Sequence, residues 1–315
     1  MKKIYSLLFV AITSISFGQQ AIPFVDSFNY PAGNLHETAP WSVLGTASTT
    51  GDHITLDGSK ATFAGGGTDA QVTLVSQTAG TIFYKFDVNI TSMTGVTDAD
   101  GGYIAGFSQN TTTFGGTLWA KRVDDNTFNL GIETRTAAAA NITYTAGTYS
   151  TGTVYTVVVA YTFNTGTTSD DTVRLWVNPT AAEDEATPLL TDTHAGTDLT
   201  AIASFFFRQD STTETGSVEV DNLKITSTFA DILANNSFSI AGLRVYPNPV
   251  TNGTLFIETS ENAEKKVTIF DVLGKQVLNT TTSNNAINVA SLHTGVYIVN
   301  ITEEGKTASR KLVIK

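Results

Sequence analysis

The chain has 315 residues, 41 % hydrophobic and 15 % charged, with no cysteine and a formal net charge of −11. The apolar content excludes a disordered chain, and the missing cysteine excludes disulfide scaffolds, thiolate zinc sites and cysteine nucleophiles. The acidic balance argues against a sequence-independent grip on nucleic acid phosphates.

The N-terminus reads as a targeting segment. Met1-Lys2-Lys3 is a short basic start, and Ile4 to Phe17 is mostly apolar. Ser16-Phe17-Gly18 supplies small residues at the −3 and −1 positions of a cleavage between Gly18 and Gln19. That is the layout of a secretory signal peptide over residues 1–18. The apolar stretch is shorter than the roughly 20 residues a helix needs to cross a bilayer, and no later segment reaches that length, so no transmembrane segment is expected.

The mature chain divides by charge. Residues 19–240 carry 8 Lys+Arg against 23 Asp+Glu, whereas residues 241–315 carry 8 Lys+Arg against 6 Asp+Glu. Residues 229–240 lack strand alternation and read as a linker, with one helical turn possible at Asp231–Ala234. Residues 19–228 read as strands throughout. Ile82, Tyr84, Phe86, Val88 and Ile90 alternate with Phe83, Lys85, Asp87 and Asn89, the period of a half-buried strand. Further strands are expected at Gln71–Ser76, Tyr103–Ser108, Leu118–Val123, Thr127–Arg135, Val154–Phe163, Thr172–Asn178, Ile202–Arg208 and Val218–Ile225. Phe205-Phe206-Phe207 reads as a strand buried on both faces. Short strands parted by Gly, Asn, Asp and Thr predict a sandwich or jelly roll.

The run Phe24–Ile225 resembles the laminin-G-like, concanavalin-type jelly rolls of secreted bacterial surface proteins. The similar residues are Asp26-Ser27-Phe28-Asn29-Tyr30 with Trp41, Gly102 to Phe107, Leu118 to Lys121, Phe128 to Ile132, Leu175 to Pro179 and Val220 to Ile225. That superfamily holds lectins, adhesion modules, glucanases and spacers, so the resemblance implies a fold and leaves the ligand open.

Residues 241–315 strongly resemble the C-terminal sorting domain of the type IX secretion system. The motif residues are Tyr246, Pro247, Asn248 and Pro249, then Asp271, Gly274 and Lys275, then Gly295, Tyr297, Lys311 and Lys315. The resemblance implies a small immunoglobulin-like β-sandwich, with a type IX translocon and a sortase-like peptidase as partners. It also implies delivery to the outer-membrane surface or the extracellular space. The fold class expected is therefore all-β, a large jelly-roll β-sandwich followed by a small immunoglobulin-like one.

Several residue sets could carry chemistry. Glu219 and Asp221 face one side of a strand and resemble part of a jelly-roll glucanase motif, but Lys224 stands where the second glutamate belongs. His36, His53, His194 and His293 have no metal-ligand or triad spacing. Gly65-Gly66-Gly67 precedes no Lys-Ser/Thr and no helix, so it is a turn rather than a phosphate loop. Asp98 and Asp100 put hard oxygen ligands on a loop and are candidate calcium ligands, calcium being the one cofactor the sequence suggests. Trp119 shares a strand face with Lys121, and Trp176 shares one with Arg174, so both tryptophans are candidate sugar platforms. The expectation is a noncatalytic surface protein, not an enzyme, engaged in adhesion or in binding a polysaccharide or another surface component. The alternatives are a secreted carbohydrate-active hydrolase with a divergent carboxylate site, or a structural surface spacer.

Overall fold

The computed structural model describes the chain except residues 1–17, 49–51, 137–140, 194–195, 235–239, 241, 273 and 304–305. The expected signal segment up to Phe17, His194 and part of the expected linker thus lie outside the described residues. Gly18 and Gln19 are exposed, and the Gln20 N–H donates to the Thr73 carbonyl at 2.8 Å. The described chain is nearly all β-structure, in two compact units that divide between Leu233 and Ala234.

The first unit is a two-sheet sandwich. Its nine-stranded sheet runs Leu190–Asp192, Thr172–Val177, Val154–Phe163, Gly80–Ser92, Ser217–Thr226, Ala61–Phe63, Thr55–Leu56 and Gly33–Asn34, with Phe24–Asp26 beside Ser217–Thr226. Its eight-stranded sheet runs Thr143–Tyr144, Thr127–Arg135, Thr113–Asp124, Gly102–Asn110, Ile202–Phe207, Ala70–Gln77 and Trp41–Val43, with Tyr149–Ser150 beside Thr127–Arg135. Neighbouring strands run antiparallel.

Alternation along each strand decides what lies between the sheets. Tyr84 and Phe86 from one sheet meet Phe205 and Phe207 from the other, with ring centroids 5.1 Å apart for Tyr84–Phe205 and 5.2 Å for Phe86–Phe207. All four rings are fully buried, and each contributes about 1.5–3 kcal/mol by leaving water. Phe206, between two core residues, points to the opposite face and is fully buried there too. The reason is a second layer: Leu44, Tyr103, Phe114 and Trp119 cover it on the outer face of the eight-stranded sheet. The outer face of the nine-stranded sheet is covered in the same way. Residues Phe229–Leu233, read from the sequence as linker, form a short helix that packs Phe229 against Phe83 and Trp176.

The second unit has a three-stranded sheet (Arg244–Tyr246, Thr254–Glu258, Ala286–Asn288) and a four-stranded sheet (Gln276–Thr282, Lys265–Asp271, Gly295–Glu303, Lys306–Ile314). Leu255 and Ile257 from the first pack with Val267, Ile269, Val299, Ile301 and Leu312 from the second. Between Lys265–Asp271 and Gln276–Thr282 the chain turns at Gly274, whose φ of 82° suits a residue without Cβ. The Gly274 and Lys275 N–H groups donate to the backbone and side-chain oxygens of Asp271, each at 3.0 Å.

Candidate functional site

Strand register builds one row of side chains across the outer face of the eight-stranded sheet. Tyr103 pairs with Trp119, Trp119 with Gly131, and Gly131 with Tyr144. Two residues further along the same face, Lys121 pairs with Asn129. Gly131 is where the row has no side chain, and there the Tyr144 ring lies on the sheet. A Cβ at Gly131 would stand 2.7 Å from two carbons of that ring. Lys121 completes the cluster, its Nζ 5.1 Å from the centroid of the Tyr144 ring, a cation–π contact. Lys121, Asn129 and Tyr144 are half-buried and reach solvent.

At the other end of the row Arg208 lies over Tyr103, its guanidinium carbon 4.5 Å from the ring centroid. Its Nη2 donates to Asp210 at 2.9 Å, and its Nε lies 3.9 Å from Asp69. Burial pushes the Asp69 carboxyl up to about 6, against the lowering by the Gln209 N–H and the Arg208 charge. Burial also raises the Tyr144 phenol, and the negative charges of Asp100, Glu133 and Asp98 add to it. Tyr144 therefore keeps its proton at neutral pH and hydrogen-bonds the carbonyl of Asp100. The face thus offers a proton donor and an ammonium side by side, over an aromatic floor, with a second cation at its far end.

The residues singled out from the sequence are only partly brought together. Trp119 is in the row but 7 % exposed, its Nε1 donating to Thr117 at 2.9 Å, so it is floor rather than open platform. Asp98 and Asp100 lie on the loop against Tyr144, where Asp98 accepts the Asp100 N–H at 2.8 Å in a local turn. The carboxylates that do converge among the described residues are Asp170, Asp171 and Asp198, with oxygens within 4.8 Å of one another. They are held by protein donors: Asp171 accepts from the Tyr161 hydroxyl and the Asn164 N–H, and Asp198 from the Asp170 and Asp171 N–H groups.

Trp176 lies on the other sheet, 3 % exposed under Phe229, with its Nε1 donating to the Asp184 carbonyl. A cleft of about 690 Å³ opens beside it, lined by Tyr149, Asn178, Asp184 and Leu189 among others. Among the described residues no cation lines that cleft, so the Lys121 face suits an anionic ligand better. Glu219 is occupied by Lys60 at 2.7 Å and Asn89 at 3.0 Å, and Asp221 accepts the N–H of Asn222. His36 and His53, far apart in sequence, have ring centroids 4.9 Å apart.

In the second unit Tyr246 stacks on Phe256 and donates to Glu258 at 2.5 Å. Asn248 ties the motif to the last strand, donating to the Lys311 carbonyl at 2.8 Å and accepting the Val313 N–H at 3.0 Å. Gly295 pairs with Ile314, Tyr297 donates to the His293 carbonyl, and the Lys315 N–H donates to Val250. Pro247 and Pro249 lie within this entry, between Tyr246 and the Val250 pairing.

Comparison with known proteins separates the two units. Residues 244–315 match the secretion system C-terminal sorting domain. This segment is a type IX sorting domain. The protein is accordingly secreted or displayed at the cell surface. Among the described residues no helix is long and apolar enough to cross a membrane. Over 117 residues, 36 % of this chain, the sequence is 28 % identical to an ulvan lyase of Nonlabens ulvanivorans. The match covers 22 % of that relative, so the chain spans about a fifth of its length. Among solved structures, alginate lyase Aly36B aligns with a TM-score of 0.43 and 17 % identity over 65 % of this chain and 97 % of that one. The endo-β-1,4-glucuronan lyase of the fungus Trichoderma reesei aligns with a TM-score of 0.35 and 14 % identity, over 66 % and 92 %.

The ulvan lyase relative corrects the expectation of a noncatalytic adhesion or binding protein that is not an enzyme; the carbohydrate-active alternative is the better supported. The physical reason is that a carboxylate pair is the signature of glycoside hydrolysis and not of every cleavage of a polysaccharide. Elimination of a uronate instead needs a proton acceptor, a proton donor and charge neutralisation, of which a tyrosine and a lysine can supply the last two.

Proposed function

We propose that the first unit is a secreted polysaccharide lyase that holds a uronate-containing chain against the outer face of the eight-stranded sheet. The observation that carries this is the Lys121–Tyr144 pair, with the ammonium 5.1 Å from the phenol ring. In β-elimination a proton passes from the carbon beside the uronate carboxylate to a base, here solvent water at this open face, negative charge builds on that carboxylate, and the glycosidic oxygen departs. The Lys121 ammonium pairs with the carboxylate and stabilises the charge that develops there. Tyr144, which keeps its proton, delivers it to the departing oxygen. Asn129 donates to the carbonyls of Thr145 and Gly147 at 3.2 and 2.9 Å and so holds the edge segment that carries Tyr144.

The same proposal takes the first unit as a jelly roll of the laminin-G and concanavalin kind and the second as an immunoglobulin-like sandwich. A type IX translocon and a sortase-like peptidase are its partners in delivery, through the sorting domain.

The test is incubation of the purified protein with ulvan, alginate and glucuronan, with chain cleavage and ultraviolet absorbance followed together. Elimination leaves an unsaturated, absorbing sugar at each new end. Tyr144→Phe is expected to lower turnover by about 10²–10⁴-fold. New reducing ends without absorbance would make the protein a hydrolase, and intact polymer in every case would overturn the assignment.

A further inference from the structure

The second unit contains a charged cluster that sorting does not call for. Lys265 is fully buried, an arrangement that lysine side chains rarely adopt. Its Nζ lies 2.9 Å from Oδ1 of Asn285, 3.1 Å from Oε1 of Glu303 and 2.9 Å from the carbonyl of Ala263. Glu303, 3 % exposed, sits directly across the strand pair from Lys265. Its Oε1 also accepts from the Thr259 hydroxyl at 2.6 Å and the Ala263 N–H at 3.0 Å. A buried amine, a carboxamide and a carboxylate thus meet at one point. Those are the three groups that a transamidation needs: nucleophile, acyl group and proton carrier.

The Asn285 amide is also turned for it. Asn285 has a φ of 62°, and its backbone carbonyl accepts the Ile257 N–H of the three-stranded sheet. Its Oδ1 faces Lys265, while Nδ2 points away and donates to Asn262 at 2.9 Å on the exposed side. The nitrogen that would leave is therefore the one nearer solvent. Burial pushes the Glu303 carboxyl up, but the bonds from Thr259 and Lys265 outweigh this and hold it below its ordinary range. Glu303 is thus a carboxylate, able to accept a proton.

We propose that the sorting domain closes an internal amide bond between Lys265 Nζ and Asn285 Cγ, with Glu303 carrying the protons. Glu303 takes one proton from the Lys265 ammonium, and the freed amine attacks Cγ. The Nζ–Cγ bond forms and the Cγ–Nδ2 bond breaks. The departing nitrogen collects the proton on Glu303 and one further proton from Nζ, and leaves as ammonium. Glu303 is a carboxylate again, Nζ keeps one hydrogen, and nothing is oxidised or reduced. The bond ties the four-stranded sheet to the three-stranded sheet across 20 residues of sequence. In a chain without cysteine it is a cross-link that needs no oxidant, and it narrows the unfolded ensemble as a disulfide does.

Mass spectrometry of the full chain tests it. The intact mass is expected to be lower than the sequence mass by one ammonia, about 17 Da, and a tryptic digest to contain the Lys265 and Asn285 peptides joined. Lys265→Arg and Asn285→Ala should each restore the ammonia. Asn285→Asp should change the loss to one water, because a carboxyl then supplies the acyl group. A wild-type digest with the two peptides separate and Lys265 open to acylation after denaturation overturns the proposal. So does a mass deficit that survives Lys265→Arg, since cyclisation of an N-terminal glutamine would then account for it. The wild-type digest decides the matter even if a variant fails to fold.

Discussion

The two units bury their cores by different means. The first fills the space between its sheets with aromatic rings, among them Trp41, Tyr84, Phe86, Phe205 and Phe207, all fully buried. The second is packed with branched aliphatics, Leu255, Ile257, Val267, Ile269 and Ile301, and closes one end with the Lys265–Glu303 pair. The rings meet between the two sheets, and further apolar layers cover both outer faces. In the second unit branched side chains join two short sheets, and the motif residues fall in short local groups along the chain. The first unit thus carries an aromatic row on the outer face of one sheet, and the second is the compact segment that matches the sorting domain.

The difference is broken most completely by removing the second unit. Deletion of residues 241–315 should abolish surface delivery, with the protein recovered from the periplasm on cell fractionation; normal delivery would refute the sorting assignment. A smaller effect is expected in the aromatic core. Trp41 is fully buried and donates to Asp26 at 2.7 Å, so Trp41→Ala should cost the first unit about 3–5 kcal/mol in a denaturant titration. Unfolding of the second unit should be unchanged if the two cores are independent.

The smallest effect concerns pH. The folded-state value of Asp69, about 6, lies above its ordinary 3.8. Between these values the folded chain binds the extra proton, so this group's contribution to stability is present below about 3.8 and is lost as pH rises through 6. Asp69→Asn should flatten the stability–pH curve in that window, and an unchanged slope would remove Asp69 as its source.

Legibility followed the same division. The sorting domain could be read because its signals are local: Asn248 lies between two prolines, and Asp271, Gly274 and Lys275 make one turn. The alternation from Ile82 to Ile90 was equally legible, because one strand carries its whole period. The row Tyr103–Trp119–Gly131–Tyr144 was not, because register between four strands exists only after folding. In the sequence Lys121 reads only as the companion of Trp119, and Tyr144 sits on a two-residue strand too short for any period to show. Trp176 looked open from its strand neighbour Arg174, but a helix that begins more than fifty residues later covers it.

Gly131 gives the proposed site its shape through an absent group. With only hydrogen there, an aromatic ring from the edge segment can lie close against the backbone of the sheet and carry its hydroxyl to the Asp100 loop. A single methyl at that position would act as a wedge. It would tilt the ring, separate two loops that now share a hydrogen bond, and unseat the proposed acid without touching an ionisable group.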